Sequence, residues 1–183
     1  MAGCDLSSNI FGGSSDDKEV TQKKVIEKKA VAVDTEDEDE GDASEAIAYN
    51  DNLIDLIDQC AGAVDDFFEV LDSDDDELTD EFPDIFENAV VACQDAQEQL
   101  QNYASFEWDT SFADAIDEYL SVENELLGNY LDYFSLEEDL DEETEDQFWE
   151  AMEDLGTAAD TLYEQIITAQ EKFAKKHGFD LED

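Results

Sequence analysis

The chain has 183 residues, and its 55 Asp and Glu against 8 Lys, with no Arg, give a formal net charge of −47 at pH 7. Its 42% hydrophobic and 10% aromatic residues exclude a wholly disordered acidic chain, so a large part of it folds. No basic residue lies between Lys29 and Lys172, which excludes nucleic-acid binding by that region and predicts its repulsion from an anionic membrane surface.

Residues 1–43 are predicted to form a flexible tether, here called the leader. Met1-Ala2-Gly3-Cys4 resembles the end of a bacterial or archaeal lipoprotein signal, a Leu-Ala-Gly-Cys box with Met in its first place. The resemblance implies that Cys4 is lipidated and that the protein is held outside the cytoplasm, at the cell envelope or surface. No apolar run approaches the roughly 18 residues of a membrane span, so the lipid would be the only membrane attachment. The competing interpretation is the ordinary N-terminus of a cytosolic protein, in which Cys4 occurs by chance.

Four amphipathic helices are predicted after the leader, because apolar residues recur there at alternating spacings of three and four. Pro83 suits the first turn of the second helix, Asp109 or Thr110 can cap the third, and Gly178 ends the fourth. The predicted fold is all-α, an antiparallel up-down four-helix bundle over residues 44–183 with a long C-terminal helix. The predicted helices span about residues 44–71, 83–103, 111–134 and 141–177.

Three glycines fall inside these predicted helices, where each costs about 1 kcal/mol relative to Ala. Gly62 and Gly156 lie in the middle of the first and fourth helices, and Gly128 lies in the third. A close approach of the first and fourth helices would explain the first two, and Gly128 is read as marking a similar site.

Parts of the predicted bundle resemble a loosely defined group of small helical bacterial surface lipoproteins of unknown function. The resemblance rests on Tyr49-Asn50-Asp51-Asn52-Leu53-Ile54, on the segment from Phe112 to Phe134, and on the closing run from Ala169 to Phe179. It implies a lipid-anchored helical protein and supplies no catalytic residues. The extreme acidity departs from the group, which puts any shared binding face in doubt.

Two cysteines remain if Cys4 carries a lipid. Cys60 and Cys93 both lie on the apolar stripes of consecutive helices. Antiparallel packing of those helices brings Cys60 within about a turn of Cys93, so a disulfide is geometrically feasible and an extracytoplasmic location would permit it. The alternative is two small, buried free thiols.

The connection after the first predicted helix begins like an EF-hand calcium loop, with Asp72, Asp74 and Asp76 at alternate places. Glu77 stands where the turn needs Gly, and Pro83 stands where a bidentate Glu closes such a site, so the motif fails. The remaining expectations are weak, non-selective association of divalent cations or a solvated connection, and no specific metal site.

No catalytic constellation is visible, so we expect a non-enzymatic protein without cofactors. His177 is the only histidine, and it lies beside lysines in the last turn of a predicted helix, where the helix dipole favours positive charge. Trp149 lies beside its helical stripe rather than on it, which predicts an exposed aromatic contact.

The charge itself has three competing explanations. On a bundle of this size the acids lie on the order of 12 Å apart, so they repel in dilute salt and are screened in brine. The favoured function is therefore a halophilic, lipid-anchored surface protein that acts through an unidentified interaction, with an unknown protein partner. The alternative is an acidic mimic or inhibitor that captures a basic, nucleic-acid-binding protein, and a surface coat that accumulates cations is the third.

Overall fold

The computed structural model of the chain describes residues 30–31, 40–71, 82–103, 105–136 and 140–181, with side chains from residue 43 onward. Within these ranges the protein is an all-α helical bundle, so the predicted fold class is confirmed. Most of the leader lies outside the described residues. The elements in chain order are β1 (Ala30–Val31), α1 (Glu40–Leu71), α2 (Phe82–Leu100), a short 3₁₀ helix (Gln101–Tyr103), α3 (Ser111–Phe134), α4 (Glu142–His177) and β2 (Asp180–Leu181).

The ends of α4 follow the local chemistry of its sequence. The Asp141 carboxylate accepts hydrogen bonds from the Thr144 backbone N–H at 2.9 Å and from the Thr144 hydroxyl at 2.8 Å, which satisfies a donor that the first turn leaves unpaired. At the other end Gly178 adopts a left-handed conformation with φ 75°, where glycine carries no steric cost. Acids in the first turn and lysines in the last turn complement the helix dipole.

Two helix boundaries differ by several residues from those that the apolar periodicity predicts. The first helix begins at Glu40 rather than near residue 44, because the apolar stripe starts only at Ala46 and cannot locate a turn that precedes it. The second ends at Leu100, and its predicted last turn is a tighter 3₁₀ helix, a common way for the final turn of a helix to end.

Clusters of aromatic rings occupy the two ends of the bundle interior, and small buried side chains lie between them beside larger ones such as Tyr119 and Ile166. At one end Phe67 packs 5.2 Å from Phe86 and 5.3 Å from Tyr130, measured between ring centroids. At the other end Phe173 packs 5.3 Å from Tyr49 and 5.7 Å from Phe112. The small buried residues between the two clusters are Cys60, Ala61, Ala63, Ala89, Ala92, Cys93, Ala96 and Ala159.

The two short strands join the leader to the end of the chain. Ala30 pairs with Leu181 and Val31 pairs with Asp180 in an antiparallel arrangement. Since β2 follows α4 directly, the leader meets the folded part beside the C-terminal end of α4.

The glycine explanation from the sequence is wrong. A Cβ atom built on Gly62, Gly128 or Gly156 would meet no atom within 4 Å, so no neighbouring helix requires the missing side chain. These glycines therefore lower the stability of their helices, and no closer packing of a neighbouring helix compensates for it.

Replacing any one of these glycines by Ala should therefore raise the free energy of unfolding by about 0.5–1 kcal/mol, because Ala restricts the unfolded chain and favours the helix. Gly178→Ala is the matched control and should lower it, since φ 75° strains any residue with a Cβ. Urea unfolding of the four variants measures both effects. Loss of stability in the three helical variants would show that these positions are closely packed.

Candidate functional site

A disulfide joins the middle of α1 to the middle of α2. The Sγ atoms of Cys60 and Cys93 are 2.00 Å apart, the two residues are separated by 33 positions, and both are fully buried. A hydrogen bond of 3.4 Å from the Gln59 side-chain amide to the Ala92 carbonyl lies beside it. The bond is enclosed by the core, so it is a structural cross-link and not an accessible redox site.

The other predicted site residues cannot be placed. Cys4 and the acidic connection with Asp72, Asp74 and Asp76 lie outside the described residues. In the part of the chain that the structure describes, no three His, Cys, Asp or Glu side chains come together in a way that could hold a metal ion.

A carboxyl group lies inside the core, next to a phenol. Glu123 of α3 is 1% exposed and Tyr119, one turn earlier, is fully buried. Burial raises the pKa of Tyr119 well above its ordinary range, and the charge and hydrogen bonding of Glu123 raise it further. The Tyr163 ring of α4 lies 6.0 Å from the Tyr119 ring. Tyr119 and Glu123 are closed to solvent, so they form part of the packing between α3 and α4.

A second buried polar contact ties α1 to α4. The Gln170 side-chain amide donates to the Asn50 side-chain oxygen at 3.0 Å, and both residues are fully buried. The Asn50 amide donates in turn to the Asp51 carboxylate at 3.1 Å. An amide pair in an apolar interior fixes the register of two helices, because sliding either helix would bury unpaired polar groups.

These buried polar residues were missed because polarity alone assigns a residue to the surface. Their spacing carried the signal: Glu123 lies four residues after Tyr119 and three before Leu126, in the one gap of the third stripe. Gln170 likewise follows Ile166 by four positions and precedes Phe173 by three.

The aromatic prediction named the wrong tryptophan. Trp149 is half-buried, with its ring centroid 5.0 Å from Phe148 and 5.6 Å from Tyr133. A residue beside a stripe still faces a neighbouring helix when the stripe is wide, as it is here. Trp108 is the exposed one, at 97%.

Trp108 stands at the tip of a tight turn before α3. Phe106 and Asp109 exchange two backbone hydrogen bonds of 3.0 and 2.7 Å, and the two residues between them have positive φ, 47° at Glu107 and 71° at Trp108. Turns of this shape favour Asn-Gly, because other residues are strained in the left-handed region. The chain therefore holds a large apolar side chain in solvent at a conformational cost.

The C-terminal end of α4 packs against that turn. The Phe106 ring packs 5.6 Å from Phe173 and 5.0 Å from His177, whose side chain is 7% exposed. Nδ1 of His177 lies 3.8 Å from a Glu107 carboxylate oxygen. This histidine lies in the last helical turn as the sequence indicates, and it also serves as a packing group.

An ion pair fixes the far side of the turn. The Lys176 ammonium donates to the Asp109 carboxylate at 2.6 Å, and the Ser111 hydroxyl donates to the other oxygen at 2.7 Å. The Lys176 and Ser111 hydrogen bonds lower the pKa of Asp109 from 3.8 to about 2. Thr110 is the N-cap residue of α3 by position, but its side chain makes no capping hydrogen bond, and Asp109 accepts from the Ser111 N–H instead.

Comparisons of the chain with protein-family models, with curated proteins and with solved structures found no match. The resemblance to helical surface lipoproteins therefore stays a prediction.

The depressed pKa of Asp109 gives a pH-dependent prediction. Its folded pKa of about 2 lies below the ordinary 3.8, so its stabilisation is complete above about pH 5 and is lost as pH falls through about 2. Asp109→Asn should cost about 1 kcal/mol of unfolding free energy near neutral pH, and this difference should shrink below about pH 4.

Two lysine variants separate the ion pair from a general charge effect. Lys176→Ala should raise the pKa of Asp109, measured by NMR titration, while Lys175→Ala, in the same turn, should leave it low. Equal titration of Asp109 in both variants would contradict the role given to Lys176.

Proposed function

We propose that the protein is a non-enzymatic, lipid-anchored extracytoplasmic surface protein whose acidic exterior is adapted to saline conditions. The observation that carries the proposal is where the charge lies on the folded part. Among the described residues, Glu123 is the single buried carboxylate, so the acids of the bundle lie at least partly on its surface, and no basic residue of α1, α2 or α3 balances them. Its action rests on an interaction with an unidentified partner.

The salt concentration decides how strongly such a surface opposes folding. Acids roughly 12 Å apart lie close to the Debye length of ~10 Å in 0.1 M salt, so they repel each other there. In about 1 M salt the Debye length is ~3 Å, the repulsion is screened, and the same charge keeps the protein soluble.

Two features support the extracytoplasmic location. The Cys60–Cys93 disulfide is a kind of bond that persists in oxidising compartments and is rare in cytosolic proteins of mesophiles. The lipoprotein-like Ala2-Gly3-Cys4 box supplies the anchor. None of the described helices is both long and apolar enough to cross a membrane.

We also propose that the four helices form an antiparallel up-down bundle tethered by a flexible leader. The arrangement is supported by contacts that join the early part of one helix to the end of the next, and its late part to the start of the next. Tyr49, near the start of α1, donates to the Tyr103 carbonyl just after α2 at 2.8 Å, while Phe67, near the end of α1, packs on Phe82 at the start of α2. In α3 and α4 the corresponding ring contacts are Phe112–Phe173 and Tyr130–Phe148.

The saline part of the proposal predicts that the melting temperature rises substantially between about 0.1 M and 2 M NaCl. Circular dichroism melts measure it, and an uncharged osmolyte of matched water activity is the control for general solvent effects. A flat or falling melting temperature contradicts the adaptation. Binding of a basic protein that survives about 0.5 M salt would favour the alternative acidic mimic.

The anchor predicts that expression behind a lipoprotein signal peptide yields a chain whose Cys4 carries acyl groups. Mass spectrometry of the detergent-extracted protein detects the added mass, and Cys4→Ser should abolish it and release the protein from the membrane fraction. Cys60→Ser is the matched control and should remain anchored. Membrane retention of the Cys4→Ser variant would contradict lipidation at this position.

A further inference from the structure

The exposed indole of Trp108 is the largest apolar group that the described surface presents. The next most exposed large apolar residues, Leu136 at 50% and Leu131 at 48%, show about half the fractional exposure of Trp108 at 97%. Its turn is strained yet fixed by the reciprocal backbone bonds, by the Phe106 ring and by the Asp109–Lys176 ion pair. A preorganised aromatic at the tip of a rigid turn loses little conformational entropy when it is buried by a partner.

The same end of the bundle carries the described basic residues. Lys172, Lys175 and Lys176 are exposed on the last two turns of α4, and Lys176 contacts the residue that follows Trp108. This end also carries the exposed carboxylates of Glu107, Glu171 and Asp180. Elsewhere in the described part of the chain every charged side chain is acidic. An anionic surface is therefore repelled along the sides of the bundle and repelled least at this end.

The leader reaches the folded part at this end too. Strand β1 pairs with β2 immediately after α4 ends, and α4 ends where the Trp108 turn packs. A lipid on Cys4 would place the bilayer within the length of chain from Cys4 to Ala30, which cannot exceed roughly 90 Å even when fully extended.

We propose that this end of the bundle docks on the lipid bilayer, with the Trp108 indole in the headgroup region and Lys172 and Lys175 facing lipid phosphates. The proposal deepens the proposed function and rests on its lipid anchor. Indole rings prefer the membrane–water interface, because one edge is apolar and the N–H is polar. Lysines near phosphates add electrostatic attraction.

The chemistry favours a bilayer over a protein partner because the contact is small. One indole and two lysines would bind a free partner weakly, since ordinary protein interfaces bury about 800 Å² on each side. A tethered bundle meets its bilayer at a high effective concentration, so a weak contact becomes populated.

The experiment uses the full-length oxidised chain, in which Cys4 is the one cysteine outside the disulfide. Cys4 is coupled to a maleimide-headgroup lipid in phosphatidylcholine vesicles, with and without phosphatidylglycerol. Trp149→Phe leaves Trp108 as the sole tryptophan, and Trp108→Phe, which leaves Trp149, is the matched control. The readouts are emission wavelength, quenching by lipids brominated in their acyl chains, and accessibility to acrylamide.

Docking predicts that tethering shifts Trp108 emission to shorter wavelength, that brominated lipids quench it, and that its acrylamide accessibility falls several-fold. Trp149 should change little. Substituting Glu for Lys172 and Lys175 should weaken the effect, most of all in vesicles with phosphatidylglycerol. If Trp149→Phe does not fold, the wild-type chain minus the Trp108→Phe signal gives the same comparison.

Unchanged accessibility of Trp108 after tethering would overturn docking. Protection in whole cell envelopes but not in protein-free vesicles would also overturn it, and would assign the turn to a protein or glycan partner. Because the coupling is chemical, failure of docking is distinct from failure of lipidation, which mass measurement of Cys4 in cells decides.

Discussion

Mutual repulsion among surface acids is the constraint against which every stabilising contact in this protein acts. With a net charge of −47 and no basic residue between Lys29 and Lys172, the helices cannot be held together by ion pairs across their surfaces. Lys176 forms an ion pair with Asp109 of the turn before α3, at one end of the bundle, and Nδ1 of His177 lies 3.8 Å from a Glu107 carboxylate oxygen in the same turn. Cohesion elsewhere comes from buried apolar area, from the cross-link and from hydrogen bonds between helices such as that of Gln170 with Asn50, while salt sets how strongly the surface repulsion opposes them.

The buried contacts that oppose this repulsion differ from one part of the bundle to another. Aromatic clusters around Phe67 and Phe173 close the two ends, where ring contacts add specific geometry to the area they bury. Between them, small residues let α1 and α2 approach to a Cα–Cα distance of 4.4 Å at the disulfide. The Asn50–Gln170 amide pair fixes α1 against α4. The end that bears Trp108 is thus held by ring packing, by this amide pair and by the Asp109–Lys176 ion pair.

The helical fold class was predictable because the spacing of apolar residues identifies both a helix and the face that it buries. For α3 the predicted range equals the observed one. The buried polar groups were not, since a Glu or Gln on a stripe position is read as a surface residue unless its spacing is trusted over its polarity. Trp108 was missed for a different reason. Its exposure depends on a turn with positive φ at Glu107 and Trp108, and neither residue is one that such turns favour. The empty space beside Gly62 and Gly156 likewise depends on how the helices pack, which periodicity does not specify.

The balance between surface repulsion and the cross-linked core is tested most directly by removing the cross-link at two salt concentrations. The Cys60→Ala/Cys93→Ala variant is compared with the oxidised chain by urea unfolding in about 0.1 M and about 2 M NaCl. A closed loop with a sequence separation of 33 residues predicts a loss of about 3–4 kcal/mol at both concentrations, because the cross-link acts mainly on the unfolded chain. Concentrated salt should raise the unfolding free energy of both chains, because it screens the surface repulsion. A variant as stable as the oxidised chain in dilute salt, with no gain in concentrated salt, would contradict the account.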